Sequence, residues 1–333
     1  MSTSFGVMLL GTGSSLPARS MRNGDFPASL DTSDEWIRSR TGIGERRIAA
    51  ANETSASLGL EAARRALESA QLDPADLDMI ICATVTPDMM VPSAACLLQV
   101  GLGSRPIPAF DINAACTGFL YGLSIAAQFV RTGSCRHILV VGAETLSRIV
   151  DFSDRTTCVL FGDGAGAVVV GAADGRGRGE HWFGLYSDGS RGDYIRLNGA
   201  RLRAPASSPS EPRSTDEFDF LRMNGREVFK FAVRTIIDLV GESLAECNLS
   251  PADIDLVIPH QVNQRIIDAA FADLNFPADK LMVNLGRYGN TSAASIPIAL
   301  DEAMRTGRAA PGDRVLLIAF GGGLTWAGGV WTI

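Results

Sequence analysis

Lysine is nearly missing from this chain: Lys230 and Lys280 stand against 28 arginines. We read that skew as a bias of composition, not as function. The net charge of -7 excludes a general nucleic-acid binder, which needs a basic face. Histidine is scarce too, with only His137, His181 and His260. None lies beside a cysteine at zinc-ligand spacing, and the six cysteines form no CxxC pair. No metal or redox cofactor is therefore expected. The start, Met1-Ser2-Thr3-Ser4, lacks the positive stretch of a secretion signal. The expected setting is cytoplasmic, with the thiols reduced. Charge is absent from Val315 to Ile333, but Gly321-Gly322-Gly323 and Gly328-Gly329 interrupt that run. It reads as two buried strands around a glycine turn and not as a membrane span. What is present is a globular composition, 46% hydrophobic and 20% charged, over 333 residues.

Cys116 sits where an extended apolar run, Pro106 to Ile112, meets a helical one. Phe119, Leu120, Leu123, Ala126, Ala127 and Val130 recur at helical spacing after it. The thiol is thus expected near a helix N-terminus, where unpaired N–H groups and the helix dipole favour a thiolate. Such a cysteine suits covalent catalysis. A small buried core cysteine is the other reading.

The chain repeats itself. Ala66 to Ile81 and Ser243 to Ile258 agree at seven of sixteen positions at an offset of 177. Each copy reads as a helix end, a Pro-Ala-Asp turn and a buried strand. A second echo, Arg136 to Gly142 against Arg314 to Phe320, is placed at an offset of 178. Two related layered α/β halves are expected, 1–173 and 174–333. Duplication places equivalent strand ends face to face. Cys116 lies at such an end in the first half. His260 follows the strand Asp255 to Ile258, and Asn290 follows the strand Leu281 to Asn284. Cys, His and Asn are expected to converge there. Taken alone, His260 also fits a structural histidine, and Asn290 also fits a helix N-cap.

Six segments then resemble one family. Asp111 to Phe119, Pro259-His260-Gln261-Val262-Asn263 and Gly289 to Ser295 are similar to the catalytic motifs of β-ketoacyl-acyl-carrier-protein synthase III. Asp31 to Ile37, Phe161 to Ala167 and Phe320 to Trp326 fit the same family, and the resemblance runs from about Gly6 to Ile333. It implies a thiolase-like, duplicated five-layer α/β/α/β/α fold and a homodimer.

The resemblance also implies roles. Cys116 takes an acyl group from an acyl-CoA, with acetyl-CoA or another short starter expected. Malonyl-acyl-carrier-protein is the second substrate, and acyl carrier protein the partner; no nucleic acid or membrane is involved. His260 and Asn290 donate hydrogen bonds to the enolate oxygen left by decarboxylation. Backbone N–H groups of Cys116 and Gly322 form the oxyanion site. Thr32, Trp36, Arg40 and Arg155 match CoA-contacting positions, Trp36 and Arg155 as the pair that holds the adenine. Because the helix end already favours the thiolate, His260 need not deprotonate Cys116. The acyl pocket is assigned to Val91, Leu146, Phe161, Leu221, Met223 and Phe320. Val91 stands where some relatives carry a bulky aromatic that reaches across the dimer, so longer or branched starters are allowed. Met89 and Met90 can refill that space.

An acidic chain needs a local basic patch to bind an acidic carrier. Arg226, Lys230 and Arg234 recur at helical i, i+4, i+8 spacing, and Arg265 follows the His motif. These four are the expected dock; a solvated helix face is the plain alternative. Two glycine motifs are decoys for nucleotide binding. Gly162 to Ala167 runs into Val168-Val169-Val170, a strand and not a helix, and Gly11-Thr12-Gly13 lacks the third glycine. Gly199 to Glu217 reads as a long surface loop. Two other functions remain open here. One is a thiolase-fold acyltransferase of secondary metabolism using the same cysteine; the other is a non-catalytic interaction subunit.

Overall fold

The repeat in the sequence is a repeat in space. A computed structural model describes residues 6–173, 179–197, 220–274 and 276–333. The expected loop Gly199 to Glu217 lies outside them. In chain order the first half forms β1 (Val7–Ser15), β2 (Ser20–Arg22), α1 (Asp34–Thr41), β3 (Glu45–Arg47), α2 (Ser55–Ala70), β4 (Met79–Ala83), α3 (Ala94–Leu102), β5 (Ala109–Ile112), α4 (Gly118–Arg131), β6 (His137–Thr145) and β7 (Asp163–Ala172). The second forms β8 (Gly179–Ser187), β9 (Ile195–Arg196), β10 (Arg222–Met223), α5 (Gly225–Cys247), β11 (Leu256–Pro259), α6 (Gln264–Leu274), α7 (Leu285–Tyr288), α8 (Ser295–Arg305), β12 (Arg314–Gly321) and β13 (Thr325–Thr332). Among the described residues no helix is long and apolar enough to cross a membrane.

One sheet has the order β1-β7-β6-β4-β5 and the other β8-β13-β12-β11. The second continues as a parallel bridge from Val257 to Leu281, in the place that β5 takes in the first. Leu281 to Asn284 is thus a single bridge and not the strand it was read as, because Leu285 already begins α7. Similarly, β5 starts only at Ala109, since Pro106 and Pro108 have no N–H to give to a ladder.

Strand alternation builds the layers. Ile138 and Val140 of β6 face one core with Val315 and Leu317 of β12, Phe119 and Leu123 of α4, and Ile296 and Leu300 of α8. Leu139 and Val141 face the opposite way, onto Ala62 and Leu98 of α2 and α3. Leu316 and Ile318 face Leu239 of α5 and Ile267 of α6. The result is α2/α3, sheet, α4/α8, sheet, α5/α6, the five layers expected.

The two copies match in detail. Gln71 ends α2 and Asn248 ends α5, each in the left-handed conformation, with φ of 56° and 53°. Both Pro-Ala-Asp segments are 3-10 turns. The second echo needs a one-residue correction. Asp78 N–H donates to His137 O, and Asp255 N–H donates to Arg314 O. His137 therefore corresponds to Arg314, and the offset is 177 here too. It persists to the central layer, where Ala115 and Ser292 hold φ of 47° and 48° just before α4 and α8.

Tight approach holds that layer together. A Cβ on Gly142 of β6 would lie 2.3 Å from Ala293 O, in the turn before α8. Nothing lies within 4 Å of one on Gly241, inside α5. Gly142→Ala should cost about 1–3 kcal/mol through overpacking. Gly241→Ala should gain about 0.5–1 kcal/mol from helix propensity. Urea unfolding midpoints of the two variants check the opposite signs.

Candidate active site

The turn that carries Cys116 is built from both halves. After β5 the chain makes a 3-10 turn, Ala115–Thr117, and α4 begins at Gly118. The Thr117 and Thr325 hydroxyls lie 2.8 Å apart, and each reaches the Ala114 carbonyl. Gly321, at the end of β12, presses on this turn: a Cβ there would sit 2.8 Å from Cys116 N and 3.0 Å from Cys116 Cβ. Only glycine allows that contact. Gly322, the expected oxyanion residue, lines the cavity beside it.

Burial pushes the Cys116 thiol up to about 12, the Ser292 hydroxyl opposes this, and the nearby Glu144 charge adds to it. Cys116 is half-buried and lines the cavity from the 3-10 turn directly ahead of α4, so the helix terminus acts on it in the opposite direction.

His260 follows β11 and is anchored by its N–H to Ile318 O at 2.7 Å. Its ring meets Phe320 edge to face at 5.7 Å. Ser295 Oγ accepts the Gln261 N–H at 2.8 Å and lies 3.0 Å from His260 Nδ1. A Ser295 hydroxyl that donates to Nδ1 leaves the ring proton on Nε2, the tautomer that a donor role requires. Nε2 is buried without a partner among the described residues. Burial also lowers the His260 pKa to about 3, so the ring is neutral. It is a donor and a poor base.

Asn290 combines the two readings of the sequence. Its Oδ1 accepts the Ser292 N–H at 2.8 Å, holding the turn before α8. Asn290 also lines the cavity. Gln261 braces the arrangement: its Nε2 donates to Pro259 O and Met282 O, and its Oε1 accepts from Asn284 N and Leu285 N.

Cys116, His260, Asn290 and Ser292 line one cavity of about 850 Å³. Leu146, Phe161, Leu221, Met223 and Phe320 supply its apolar wall, as expected, and Ile149, Val228 and Val262 join them. Val91 does not line it. That residue is 84% exposed, while Met89 and Met90 line the mouth.

A second group lies outside the cavity lining. The guanidinium carbons of Arg40 and Arg155 stand 5.0 and 5.3 Å from the Trp36 ring centre. Arg155 also pairs with Asp31 at 2.8 Å. Thr32 Oγ1 is buried without a partner among the described residues. Arg226, Lys230 and Arg234 are exposed along α5, and Arg265 is exposed on α6, which packs beside it. Lys230 pairs with Glu227 at 2.9 Å and Arg234 with Asp238 at 3.6 Å, which reduces the net charge of the face.

Sequence reasoning missed Ser292, Ser295, Gln261, Gly321 and Glu144. The first two stand inside the Asn motif, where their hydroxyls carry no spacing signal. The His260 assignment has a direct check. In an NMR titration its ring should stay neutral, with the proton on Nε2, from pH 8 down to pH 5, about two units above its pKa of about 3.

Comparison with known proteins agrees with this geometry. Models of the 3-oxoacyl-[acyl-carrier-protein (ACP)] synthase III family match residues 110–189, and those of its C-terminal part match residues 244–333. The β-ketoacyl-[acyl-carrier-protein] synthase III of Caldanaerobacter subterraneus subsp. tengcongensis is 52% identical over 97% of this chain and 96% of its own. That of Clostridioides difficile is 47% identical, with 100% of both chains covered. The crystal structure of 3-oxoacyl-[acyl-carrier-protein] synthase III from Aquifex aeolicus superposes with a TM-score of 0.91 at 45% identity. It covers 98% of this chain and 100% of that one. With a cysteine, a neutral histidine and an asparagine around one cavity between duplicated halves, the chain belongs to the β-ketoacyl-acyl-carrier-protein synthase III family.

Proposed function

We propose that this enzyme condenses a short acyl-CoA with malonyl-acyl-carrier-protein, the step that initiates fatty acid synthesis. The observation that carries the reading is that Cys116, His260 and Asn290 line one cavity. His260 offers Nε2–H from a buried, neutral ring, and Asn290 offers Nδ2–H. Two fixed donors in a dry site suit an oxygen that becomes negative during reaction.

Cys116 Sγ attacks the thioester carbonyl, a carbon–sulfur bond to Cys116 forms, and coenzyme A leaves. Malonyl-acyl-carrier-protein then enters and loses CO₂. The electron pair left behind forms an enolate, whose oxygen accepts from His260 and Asn290. Its carbon attacks the acyl-Cys116 carbonyl. The N–H groups of Cys116 and Gly322 hold the tetrahedral oxyanion, which collapses and expels the Cys116 thiolate. A charged His260 would be a stronger donor but would have to be desolvated; burial keeps it neutral, so no ion is stranded while the site is empty.

Thr32, Trp36, Arg40 and Arg155 receive the CoA. Arg155 already covers the Trp36 face, so an adenine entering between them must displace it from Asp31. The apolar wall from Leu146 to Phe320 takes the acyl chain, with Met89 and Met90 at its mouth. Val91, which is exposed, contacts a second protomer in a homodimer. Arg226, Lys230, Arg234 and Arg265 dock the acidic carrier protein, and we place the enzyme in the cytoplasm. A secondary-metabolism acyltransferase that transfers to oxygen or nitrogen has no use for an enolate-binding donor pair, so the condensing reading is favoured.

Incubation with acetyl-CoA should add an acetyl mass to the intact protein, and Cys116→Ala should abolish the gain. Asn290→Ala should lower condensation by about 10²–10³ while the acyl mass still forms, as expected for loss of an oxyanion donor. The double reversal Lys230→Glu, Arg234→Glu should raise KM for malonyl-acyl-carrier-protein with kcat little changed. An unaltered KM would remove these residues from the dock.

A further inference from the structure

The loop that follows β4 is held by side chains where the strand ladder stops. β4 and β6 pair in parallel up to Ala83 and Gly142, and β4 ends there. β6 continues, with Glu144 still paired to Gly164 of β7. From that fixed backbone the Glu144 side chain reaches the loop. Its Oε2 accepts from Thr86 Oγ1 at 2.6 Å, Val85 N at 3.1 Å and Thr84 Oγ1 at 3.2 Å. Thr86 Oγ1 in turn accepts the Thr145 N–H at 2.9 Å. Glu144 is fully buried, and a buried carboxyl is costly unless donors surround it. Here three successive residues supply them, and hydrogen bonds to a carboxylate are among the strong ones.

The clamped loop is a wall of the cavity. Thr84, Val85 and Pro87 line it, and Met89 and Met90 line its mouth. Lighter ties hold the outer side: Ser55 Oγ donates to Thr86 O at 2.7 Å, and Ala56 N donates to Asp88 Oδ1 at 2.9 Å. The duplication gives this turn a counterpart. At the offset of 177, Thr84-Val85 corresponds to Gln261-Val262, and Glu144 to Gly321. In the second half the turn carries His260 and is braced by its own Gln261. In the first half the brace comes instead from the neighbouring strand, and the turn faces the same cavity without a reacting group.

We propose that Glu144 is a positioning residue for the mouth of the cavity: by clamping Thr84, Val85 and Thr86 it holds Met89 and Met90 in place and sets the bulk of the acyl chain that reaches Cys116. Methionine side chains are flexible, so the opening they leave is defined by the backbone that carries them. A loosened backbone lets both side chains swing aside and admits wider groups. The identity of the chain rests on the condensing reading; the clamp itself stands on the geometry of the loop.

The test follows alkylation of Cys116, on the peptide that carries it, by iodoacetamide and by the bulkier N-cyclohexyl iodoacetamide. Both reagents meet the same sulfur, so the ratio of their rates cancels a change in its reactivity or a general loss of stability. Wild type should prefer the smaller reagent. Glu144→Gln keeps the shape but only one acceptor oxygen, and Thr86→Val removes the donor at 2.6 Å from behind the cavity lining. Each should shrink the preference by about tenfold, the size of one hydrogen bond to a charged group. Thr86→Ser, which keeps the hydroxyl, should retain the wild-type ratio. Equal rates in wild type, an unchanged ratio in both folded variants, or a Thr86→Ser ratio like that of Thr86→Val overturns the clamp. With substrates, both variants should raise kcat/KM for isobutyryl-CoA relative to acetyl-CoA; an alkylation shift with that ratio unmoved overturns the role in acyl selection. If the alkylation ratio shifts and no acyl-CoA reacts even with wild type, the clamp stands and the condensing reading fails.

Discussion

Everything at this site depends on how closely the two strand-to-helix turns of the central layer can approach the sheets and each other. Gly142 lets Ala293 O come within what would be 2.3 Å of a side chain, and Gly321 does the same for Cys116 N. Gly166 admits Pro297 of α8 on the same terms, with a Cβ 2.7 Å away. Were any of these a larger residue, α4 or α8 would stand off, and the turns bearing Cys116 and Asn290 would separate. The two left-handed residues, Ala115 and Ser292, are the local strain that this crossing imposes on both copies.

The same packing that brings the groups together removes water from them, and dryness sets their protonation. Burial leaves His260 neutral, raises the Cys116 thiol and lifts Glu144 toward neutrality. In water these three would be partly charged, weakly nucleophilic and fully ionised respectively at pH 7. Inside, one environment pushes all three toward their uncharged forms. Ser295 Oγ lies 3.0 Å from Nδ1 of the ring, and Nε2 is left without a partner among the described residues.

Much of this was legible along the chain. The repeat announced duplicated halves because helix stops, Pro-Ala-Asp turns and buried strands are encoded locally, and Gln71 and Asn248 fulfil that reading as left-handed caps. Cys116 and His260 could be picked out because each follows a strand, where a duplicated α/β fold concentrates side chains; Asn290 follows α7 instead, and its motif alone marked it. The basic spacing on α5 also survived, since a helix face is a local property. The one-residue slip in the second echo shows the limit: matching apolar runs by eye does not register strands, whereas the paired Asp78–His137 and Asp255–Arg314 bonds do.

The sequence by itself determined the layers, the repeat and the identity of the three principal residues, because periodicity, turn chemistry and motif order are written in neighbouring residues. Only the tertiary structure decided their chemical states. Depth of burial and the partners of buried polar groups arise from contacts between segments far apart in the chain. Cys116 shows the difference plainly. Its place before a helix was legible locally, whereas the approach of Gly321 and the burial that raises its thiol come from the other half of the chain. Local sequence sets the dipole, and desolvation is a property of what packs around it.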